Sequence, residues 1–403
     1  MSRAREQQLI HQLQREWPAP DPAAVAISAE LCERIDQEIE AAGGSLRFER
    51  YMEMALYEPG LGYYSAGLPR FGPGGDFTTA PLTSALFSRT LALQCAECLA
   101  QTGGVILELG AGTGRMAADM LLELAARDAV PERYYILEVS AALRQEQRQT
   151  LERTVPQWLG RVEWLDRLPE TPLRGVIVAN EVLDALPVAL FRRSKEGVEE
   201  LRVARARDGY AWHYAPAGAA LAASVAALED ALNERLPAGY VSELCPRLPA
   251  WIASLSDLLE HGVLLFIDYG YPRREYYHPQ RTMGTLMCHY RHRAHANPLI
   301  LPGLQDITAF VDFTAVADAG LDAGLEVLGF APQAQFLLGA GLPSLLEAEM
   351  LHADTRERLS LSQQAKQLML PGEMGERFKV MALGRGYGEP LSGFGFGDQR
   401  GRL

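Results

Sequence analysis

No long apolar run is present in this chain. None of its hydrophobic stretches approaches the roughly 20 residues that cross a bilayer. Residues 1–20 alternate charged and apolar side chains and lack the apolar core of a secretory signal. The composition, 48% hydrophobic and 22% charged, is typical of soluble globular proteins. We therefore expect a cytoplasmic protein without membrane insertion.

Basic residues are also in deficit. Lysine and arginine number 38 against 51 aspartates and glutamates, which gives a formal net charge of −13. A surface that follows nucleic-acid phosphates needs clustered lysines and arginines, and this chain has only short mixed runs. The composition thus argues against nucleic-acid binding, and an acidic chain suits a cationic partner better.

Cysteine is scarce, with five residues in 403. An odd number in a long chain without a secretory signal favours reduced thiols over a disulfide framework. Cys95 and Cys98 form one CxxC pair inside a helical pattern, and no second pair follows at zinc-ribbon spacing. We predict a buried helix face for this pair.

A second group of metal-ligand types lies in "CHYRHRAH", where Cys288, His289, His292 and His295 occur together. On a helix, residues six apart point away from each other, and the interleaved Arg291 and Arg293 would repel a cation. A polar loop that faces substrate is favoured, and we predict no metal site.

The order of sequence patterns predicts an α/β fold. Residues up to about 102 resemble helices, including one over Ala24–Ala42, interrupted by the glycine-rich stretch Tyr63–Asp76. Strands and helices then alternate, as in a parallel sheet with crossover helices. The segment from Val188 to Tyr214 has the pattern of short strands, and Glu275–Phe313 has no clear periodicity.

Three glycines separate the first of these strands from its helix, in "ILELGAGTGRMAADML". Gly110, Gly112 and Gly114 have the spacing G-x-G-x-G, and Arg115 stands where a dinucleotide-binding turn has its third glycine. No Gly-Lys-Ser/Thr follows, so a Walker loop is absent as well. The turn thus predicts close approach of a ligand to the backbone, but neither NAD nor a nucleoside triphosphate.

Two acidic residues refine this prediction. Glu108 precedes the glycine turn, and Glu138 ends the next strand, where a carboxylate can accept both hydroxyls of a ribose; the alternative for Glu138 is an exposed loop carboxylate. The stretch Glu108–Gly114 resembles the first motif of Rossmann-like methyltransferases that use S-adenosyl-L-methionine (SAM). If the resemblance holds, an acid such as Glu108 can accept from the ammonium group of SAM.

Several longer stretches resemble one family. "FERYMEMALYEPGLGYY", "GGDFTTAP", "VIVANEVLDALPVALF", "GTLMCHYRHRAH" and "GLQDITAFVDFT" are similar, in this order, to motifs of the MidA family. That family includes the mitochondrial complex I assembly methyltransferase and its bacterial relatives. The resemblance implies a SAM-dependent methyltransferase and, in the mitochondrial branch, dimethylation of arginine in a complex I subunit.

The resemblance also implies an architecture. The expected fold is a Rossmann-like class I methyltransferase sheet of the α/β class, with an N-terminal helical extension and an inserted α+β substrate subdomain. The expected segments are 1–102 (helical, with a ligand-closing loop), 103–187 (start of the SAM-binding domain), 188–240 (strand-rich insertion), 241–275 (return to the SAM-binding domain), 276–313 (substrate-facing loops) and 314–403 (C-terminal part of the SAM-binding domain, with helices).

Site residues follow from these motifs. Glu181 and Asp184 are the expected catalytic pair, because two carboxylates at the end of a parallel strand can grip a guanidinium and localise its charge. Asp184 could instead cap a helix. Asp268, Tyr269, Asp306 and Asp312 form a second tier, in which Asp306 could be an N-cap and Asp268 only a turn former. The expected SAM-binding residues are Gly75, Asp76, Thr78, Pro81, Glu108, Gly110, Ala111, Gly112, Thr113, Gly114, Glu138, Val139, Ser140 and Asn180.

Departures from the family pattern limit the mechanism. Leu82, Ser88–Arg89 and Phe310 stand where the family usually has Glu, Gly-Glu and His, so no catalytic base is assigned to position 310. Three functions remain open. They are arginine methylation of a partner protein, such as a respiratory complex I subunit; methylation of a small molecule; and a SAM-binding assembly role without turnover.

Overall fold

The chain passes back and forth between two compact units. A computed structural model describes residues 18–67 and 79–403. The first unit contains residues 18–67, 185–247 and 273–310, and the second contains residues 79–184, 248–272 and 311–403. No helix within these described residues has the length and apolarity required to span a membrane.

The helices and strands have the following bounds. The helices are α1 (Pro22–Ala41), α2 (Phe48–Tyr57), α3 (Ala80–Thr83), α4 (Ala85–Thr102), α5 (Arg115–Ala126), α6 (Ala141–Thr154), α7 (Ala219–Leu232), α8 (Leu248–Leu258), α9 (Arg273–Tyr276), α10 (Phe313–Asp322), α11 (Gln333–Gly339), α12 (Leu342–His352) and α13 (Thr355–Met369). The strands are β1 (Leu46–Arg47), β2 (Val105–Leu109), β3 (Tyr134–Leu137), β4 (Val162–Leu165), β5 (Leu173–Asn180), β6 (Ala189–Arg193), β7 (Val198–Ala206), β8 (Gly209–Pro216), β9 (Val241–Leu244), β10 (Leu259–Tyr271), β11 (Met287–Tyr290), β12 (Arg293–His295), β13 (Asp306–Thr308), β14 (Val311–Asp312), β15 (Glu326–Pro332) and β16 (Phe378–Arg385).

The second unit is built on a mixed sheet with the order β15-β16-β10-β5-β2-β3-β4. The strands from β10 to β4 are parallel, because helices such as α5 and α6 cross over between them. β16 inserts antiparallel between β10 and β15. The predicted α/β fold is therefore confirmed, and the sheet is mixed where its C-terminal strands return.

The strand order reverses beside β2. The chain proceeds from β2 to β3 and β4 on one side and then continues with β5 and β10 on the other. In open α/β sheets, ligands bind beyond the carboxyl ends of the strands at such a reversal. The glycine turn follows β2 at this point, and the segment from Asn180 to Asp184 follows β5.

The helix α4, which carries the two cysteines of the CxxC pair, packs in the core of the second unit. Cys95 and Cys98 lie on α4, and both are buried as free thiols in the core of the second unit. Their side chains pack with aliphatic residues of α5 and β2, such as Leu121 and Ile106. The buried helix face predicted from the CxxC spacing is confirmed.

The first unit is organised around antiparallel strands. β1, β7, β6 and β9 form one sheet in that order, with β8 paired to β7, and β12-β11-β13 form a smaller one. Buried residues of α1 and α2, including Leu31, Phe48 and Tyr51, share a core with β6 and β7. The short strands predicted between Val188 and Tyr214 are confirmed as β6, β7 and β8.

Two of the alternative interpretations, in which an aspartate caps a helix, are wrong. Asp306 does not cap a helix, because it lies in β13 and pairs with β11; the cap of α10 is Asp312, whose side chain accepts from the backbone N–H groups of Thr314 and Ala315. Likewise, no helix follows Asp184, and the next regular element is β6. Asp184 is therefore not a helix cap.

The histidine-rich segment forms strands rather than a helix. β11 and β12 pair as a hairpin in which Cys288 lies opposite His295, and Arg291 and His292 at its tip adopt left-handed conformations. Across residues 18–67 and 79–403, no group of three or more His, Cys, Asp or Glu side chains is arranged to hold a metal ion.

Candidate active site

The glycine turn after β2 is built from left-handed backbone conformations. Gly110, Gly112 and Gly114 have φ angles of +67°, +52° and +78°, which residues with a Cβ adopt at a cost. A Cβ on Gly110 would lie 3.2 Å from a methyl of Val182, and one on Gly114 would lie 2.9 Å from the Cα of Gln147. The turn is thus pressed between the segment after β5 on one side and helix α6 on the other.

Gln147 connects the glycine turn to the acid at the end of β3. Its Nε2 donates to the carbonyl of Gly112 and to Oε2 of Glu138, both at 3.0 Å. Its Oε1 accepts from the indole N–H of Trp164 at 3.0 Å. A fully buried amide therefore fixes the distance between the glycine backbone and the Glu138 carboxylate.

The Glu138 carboxylate lies at the first turn of α6. Oε1 accepts from the backbone N–H of Ser140 at 2.8 Å, and the Ser140 hydroxyl caps the helix. Each carboxylate oxygen of Glu138 thus accepts a hydrogen bond from α6, and the carboxylate is held close to the glycine turn through Gln147. The neighbouring Val139 is 71% exposed, and it presents an apolar surface next to this carboxylate.

Glu108 occupies a different environment. Its carboxyl is 1% exposed and accepts from the hydroxyl of Tyr134 at 2.6 Å. Burial raises the pKa of Glu108 to about 7, and the bond from Tyr134 opposes the rise. The structure places this side chain in the core behind the glycine turn, apart from the group formed by Glu138 and Gln147.

The segment after β5 is held by a carboxylate from β10. Oδ2 of Asp268 accepts from the backbone N–H groups of Val182, Leu183 and Asp184 at 3.2, 2.9 and 3.2 Å, and Oδ1 accepts from that of Tyr269 at 2.8 Å. Burial raises the pKa of Asp268 to about 7, and these donors oppose the rise. Asp268 is therefore a structural anchor, whereas the sequence suggested a turn former or a second-tier ligand.

Glu181 has an unusual backbone conformation for a residue with a side chain. Its φ is +54°, a left-handed value that costs energy and is common at functional sites. Its side chain accepts from Nδ2 of Asn180 at 3.1 Å and from the hydroxyl of Tyr269 at 3.4 Å. The ring of Tyr269 packs on Phe378, with centroids 4.1 Å apart.

Asn180 carries an orphan acceptor. Asn180 is 9% exposed, and its side-chain oxygen Oδ1 is buried without a hydrogen-bond partner within the described residues. An unsatisfied buried acceptor costs about 1–3 kcal/mol. The end of β5 is therefore suited to a ligand that brings an N–H or O–H donor.

The structure brings most of the predicted residues to neighbouring strand ends. The glycine turn, Glu138 and the Asn180–Asp184 segment follow β2, β3 and β5, which are adjacent in the sheet. Pro81 is buried in the short helix α3 of the same unit. Gly75, Asp76 and Thr78 lie outside the described residues.

Two residues were missed by the sequence reasoning. Gln147 and Trp164 carry no motif, although Gln147 shares a helix face with the buried Leu143 and Leu151, at spacings of four residues. A polar side chain within such an apolar stripe is the signal that could have found it.

Two of the residues that depart from the family pattern, Arg89 and Phe310, make defined contacts in the structure. Arg89 forms ion pairs with Glu123 at 2.8 Å and with Glu349 at 2.7 Å, so its charge is used within the second unit. In the first unit, the backbone N–H of Phe310 donates to the hydroxyl of Thr285 at 2.9 Å.

Comparisons with known proteins show relatives of this chain in sequence and in fold. A family model described as "Putative S-adenosyl-L-methionine-dependent methyltransferase" matches residues 90–331. A crystal structure from Burkholderia thailandensis, bound to S-adenosyl-homocysteine, is 42% identical with a TM-score of 0.89 and covers 96% of this chain and 100% of that one. The zebrafish protein arginine methyltransferase NDUFAF7, mitochondrial, is 26% identical over 398 residues, 91% of this chain and 90% of its own. Its bovine counterpart is 27% identical over 371 residues, 84% of this chain and 80% of its own.

Proposed function

Because this chain belongs to the MidA family of SAM-dependent methyltransferases, we propose that it transfers the methyl group of SAM to an arginine guanidinium of a partner protein. The curated relatives named as arginine methyltransferases support this acceptor. The observation that carries the proposal is the strained, anchored segment bearing Glu181 and Asp184. Methylation of a small molecule and SAM binding without turnover are the alternatives.

The cofactor site is proposed at the ends of β2, β3 and β5. Glycines in left-handed conformations leave the turn open to a close ligand, and the carboxylate of Glu138, which we propose accepts from the ribose hydroxyls, is linked to this turn through Gln147. The orphan Oδ1 of Asn180 suits a donor on the ligand, such as an amine. The remaining proposed contacts are Gly75, Asp76, Thr78, Pro81, Ala111, Thr113, Val139 and Ser140.

Glu108 is proposed to act from behind this turn. Since its carboxyl is buried and bonded to Tyr134, we infer that it supports the start of the turn through β2. The direct contact with an ammonium group that the sequence suggested stays a prediction.

Glu181 and Asp184 are proposed to hold the acceptor. SAM supplies an electrophilic methyl on a sulfonium, and transfer requires a nucleophile aligned at roughly 3 Å from that carbon. Two carboxylates can bind a guanidinium and keep its charge away from the attacking nitrogen. Asn180 and Tyr269 fix the orientation of Glu181, and the pair can accept the proton that the nitrogen releases.

The partner and the location stay predictions. We infer a protein with an accessible arginine, and the family resemblance suggests a respiratory complex I subunit. The curated relatives are named as mitochondrial, whereas the sequence of this chain predicts a cytoplasmic protein.

Substitution of Glu181 tests the proposal. We expect Glu181→Gln to bind SAM as the unmodified protein does and to lose transfer of labelled methyl to arginine in a lysate from a deletion strain, read by mass spectrometry. The matched control is Glu170→Gln, which changes a carboxylate with 88% side-chain exposure and should retain transfer. Transfer by Glu181→Gln at the normal rate, or label on a small molecule alone, would overturn the assignment.

A further inference from the structure

Trp164 belongs to β4, the last strand in the sheet order of the second unit. Its paired residue on β3 is Ile136, which precedes Glu138 by two positions. The side chain of Trp164 is partly buried, and the guanidinium of Arg148 on α6 lies over the indole, 4.4 Å from the ring centroid. Because the negative quadrupole of an indole face attracts a guanidinium, this contact joins β4 to α6.

The indole N–H of Trp164 determines which end of the Gln147 amide faces it. An indole nitrogen can only donate a hydrogen bond, so the amide atom at 3.0 Å from it is the acceptor Oε1. The donor Nε2 then faces the carbonyl of Gly112 and Oε2 of Glu138, which both accept from it. All three partners therefore require the same orientation of the amide.

Rotation of this amide by half a turn would be unfavourable at each of these contacts. Oε1 would face a carbonyl and a carboxylate, which are acceptors, and Nε2 would face the indole donor. Because Gln147 is fully buried, water has little access to a group left without a partner, and such a group costs free energy. Trp164 thus stabilises the orientation in which Gln147 donates to Gly112 and Glu138.

We propose that Trp164 is a positioning residue for SAM, which acts through Gln147 on the Glu138 carboxylate and the glycine turn. The inference rests on the proposed function in one respect, because it places the ribose of SAM at Glu138. Trp164 itself is assigned no contact with SAM. Its N–H fixes the amide, the amide fixes the carboxylate, and Arg148 covers one face of the indole.

The affinity for S-adenosyl-homocysteine measures this role without turnover. Trp164→Phe retains an aromatic ring and removes the N–H donor, so the amide of Gln147 loses one partner. In calorimetry with the full-length protein, we expect binding of S-adenosyl-homocysteine to weaken by about 5-fold, the factor that corresponds to one neutral hydrogen bond.

Trp158→Phe is the matched control. Trp158 is also a partly buried tryptophan of the second unit, and the guanidinium of Arg161 lies 5.8 Å from its ring centroid. Within the described part of the chain, the indole of Trp158 forms no hydrogen bond. This change should therefore leave the affinity for S-adenosyl-homocysteine within about 2-fold of that of the unmodified protein.

A double variant separates action through Gln147 from a general effect on folding. If Trp164 acts through this amide, Trp164→Phe should change the affinity by less than about 2-fold in a Gln147→Leu background, because the connection is already broken. A merely structural role would lower the affinity by the same factor in both backgrounds, as independent changes do. Urea unfolding of the same four proteins checks that each is folded at the temperature of the titrations.

NMR gives a second readout that needs no substitution. The indole N–H signal of Trp164, assigned in the unmodified protein, should shift when S-adenosyl-homocysteine binds, because a ligand at Glu138 alters the amide that accepts from this N–H. The indole signal of Trp158 should shift less. This measurement decides the matter if Trp164→Phe does not fold.

The outcomes distinguish this inference from the proposed function. Normal affinity of Trp164→Phe for S-adenosyl-homocysteine, an equal loss in both backgrounds, or an unmoved Trp164 signal at saturation would overturn the role of Trp164 even if methyl transfer to arginine is found. A loss of affinity that depends on Gln147, without methyl transfer to arginine, would support the role of Trp164 and overturn the proposed acceptor.

Discussion

Replacing Gln147 with leucine should weaken both the fold and the proposed cofactor site. Gln147 is buried and donates to Gly112 and Glu138 through one nitrogen. Leucine has nearly the same volume, so the change removes hydrogen bonds with little cavity. Trp164 also loses the acceptor for its indole N–H.

The size of the effect follows from these bonds. A hydrogen bond to a charged group contributes about 1.5–3 kcal/mol and a neutral one about 1 kcal/mol. Because the bonds share one amide and water can solvate part of the site, we expect the free energy of unfolding to fall by about 2–4 kcal/mol. Loss of the fixed distance between Gly112 and Glu138 should weaken S-adenosyl-homocysteine binding by about 10-fold, equivalent to about 1.4 kcal/mol.

Urea unfolding and calorimetry with S-adenosyl-homocysteine measure these two quantities. Gln149→Leu is the matched control, because Gln149 lies on the same helix, α6, and is exposed. We expect it to change neither quantity by more than about 0.5 kcal/mol. If Gln147→Leu binds S-adenosyl-homocysteine as tightly as the unmodified protein, the amide does not organise the cofactor site.

Two other positions give independent tests. Gly114→Ala should lower the free energy of unfolding by about 2 kcal/mol, since alanine is strained at this left-handed φ and its Cβ would crowd Gln147. Gly160→Ala is its control, as a Cβ there meets nothing within 4 Å; equal urea midpoints for the two variants would contradict the packing argument. For Glu108, burial raises the pKa to about 7, so the folded protein binds an extra proton and stability should fall as the pH rises from about 4.5 to 7. Glu108→Gln can still accept from Tyr134 and should remove a penalty on the order of 3 kcal/mol at pH 8; an unchanged pH profile of thermal unfolding would refute this.

Local sequence signals predicted the backbone turn after β2 and the place of Glu138 at the end of β3. The spacing of Gly110, Gly112 and Gly114 reflects backbone conformations that a short turn needs, and such requirements are visible in the sequence. The acid at position 138 follows its strand directly, so the parallel arrangement predicts its place at the same sheet edge. The alternation of strands and helices was likewise predictable, because apolar residues recur at different spacings in strands and in helices.

Tertiary context decided the features that were missed. Asp306 has the local character of a helix cap, yet pairing with β11 places it in a strand, because long-range pairing overrides local preference. Gln147 resembles an ordinary surface glutamine until Glu138 and Trp164 are brought to it by folding. The anchoring of residues 182–184 by Asp268 depends on the pairing of β5 with β10, which are distant in sequence. No local sequence pattern could therefore predict it.

The carboxylate of Asp268 also determines which charges the end of β5 can attract. Three successive backbone N–H groups, those of Val182, Leu183 and Asp184, converge on one oxygen. Left open, such a concave set of donors would be a receptor for phosphate or carboxylate groups. Because the carboxyl group of Asp268 already fills it, these three N–H groups are not available to an anion from outside. The end of β5 therefore lacks the open set of backbone donors with which such a segment could bind an anionic group.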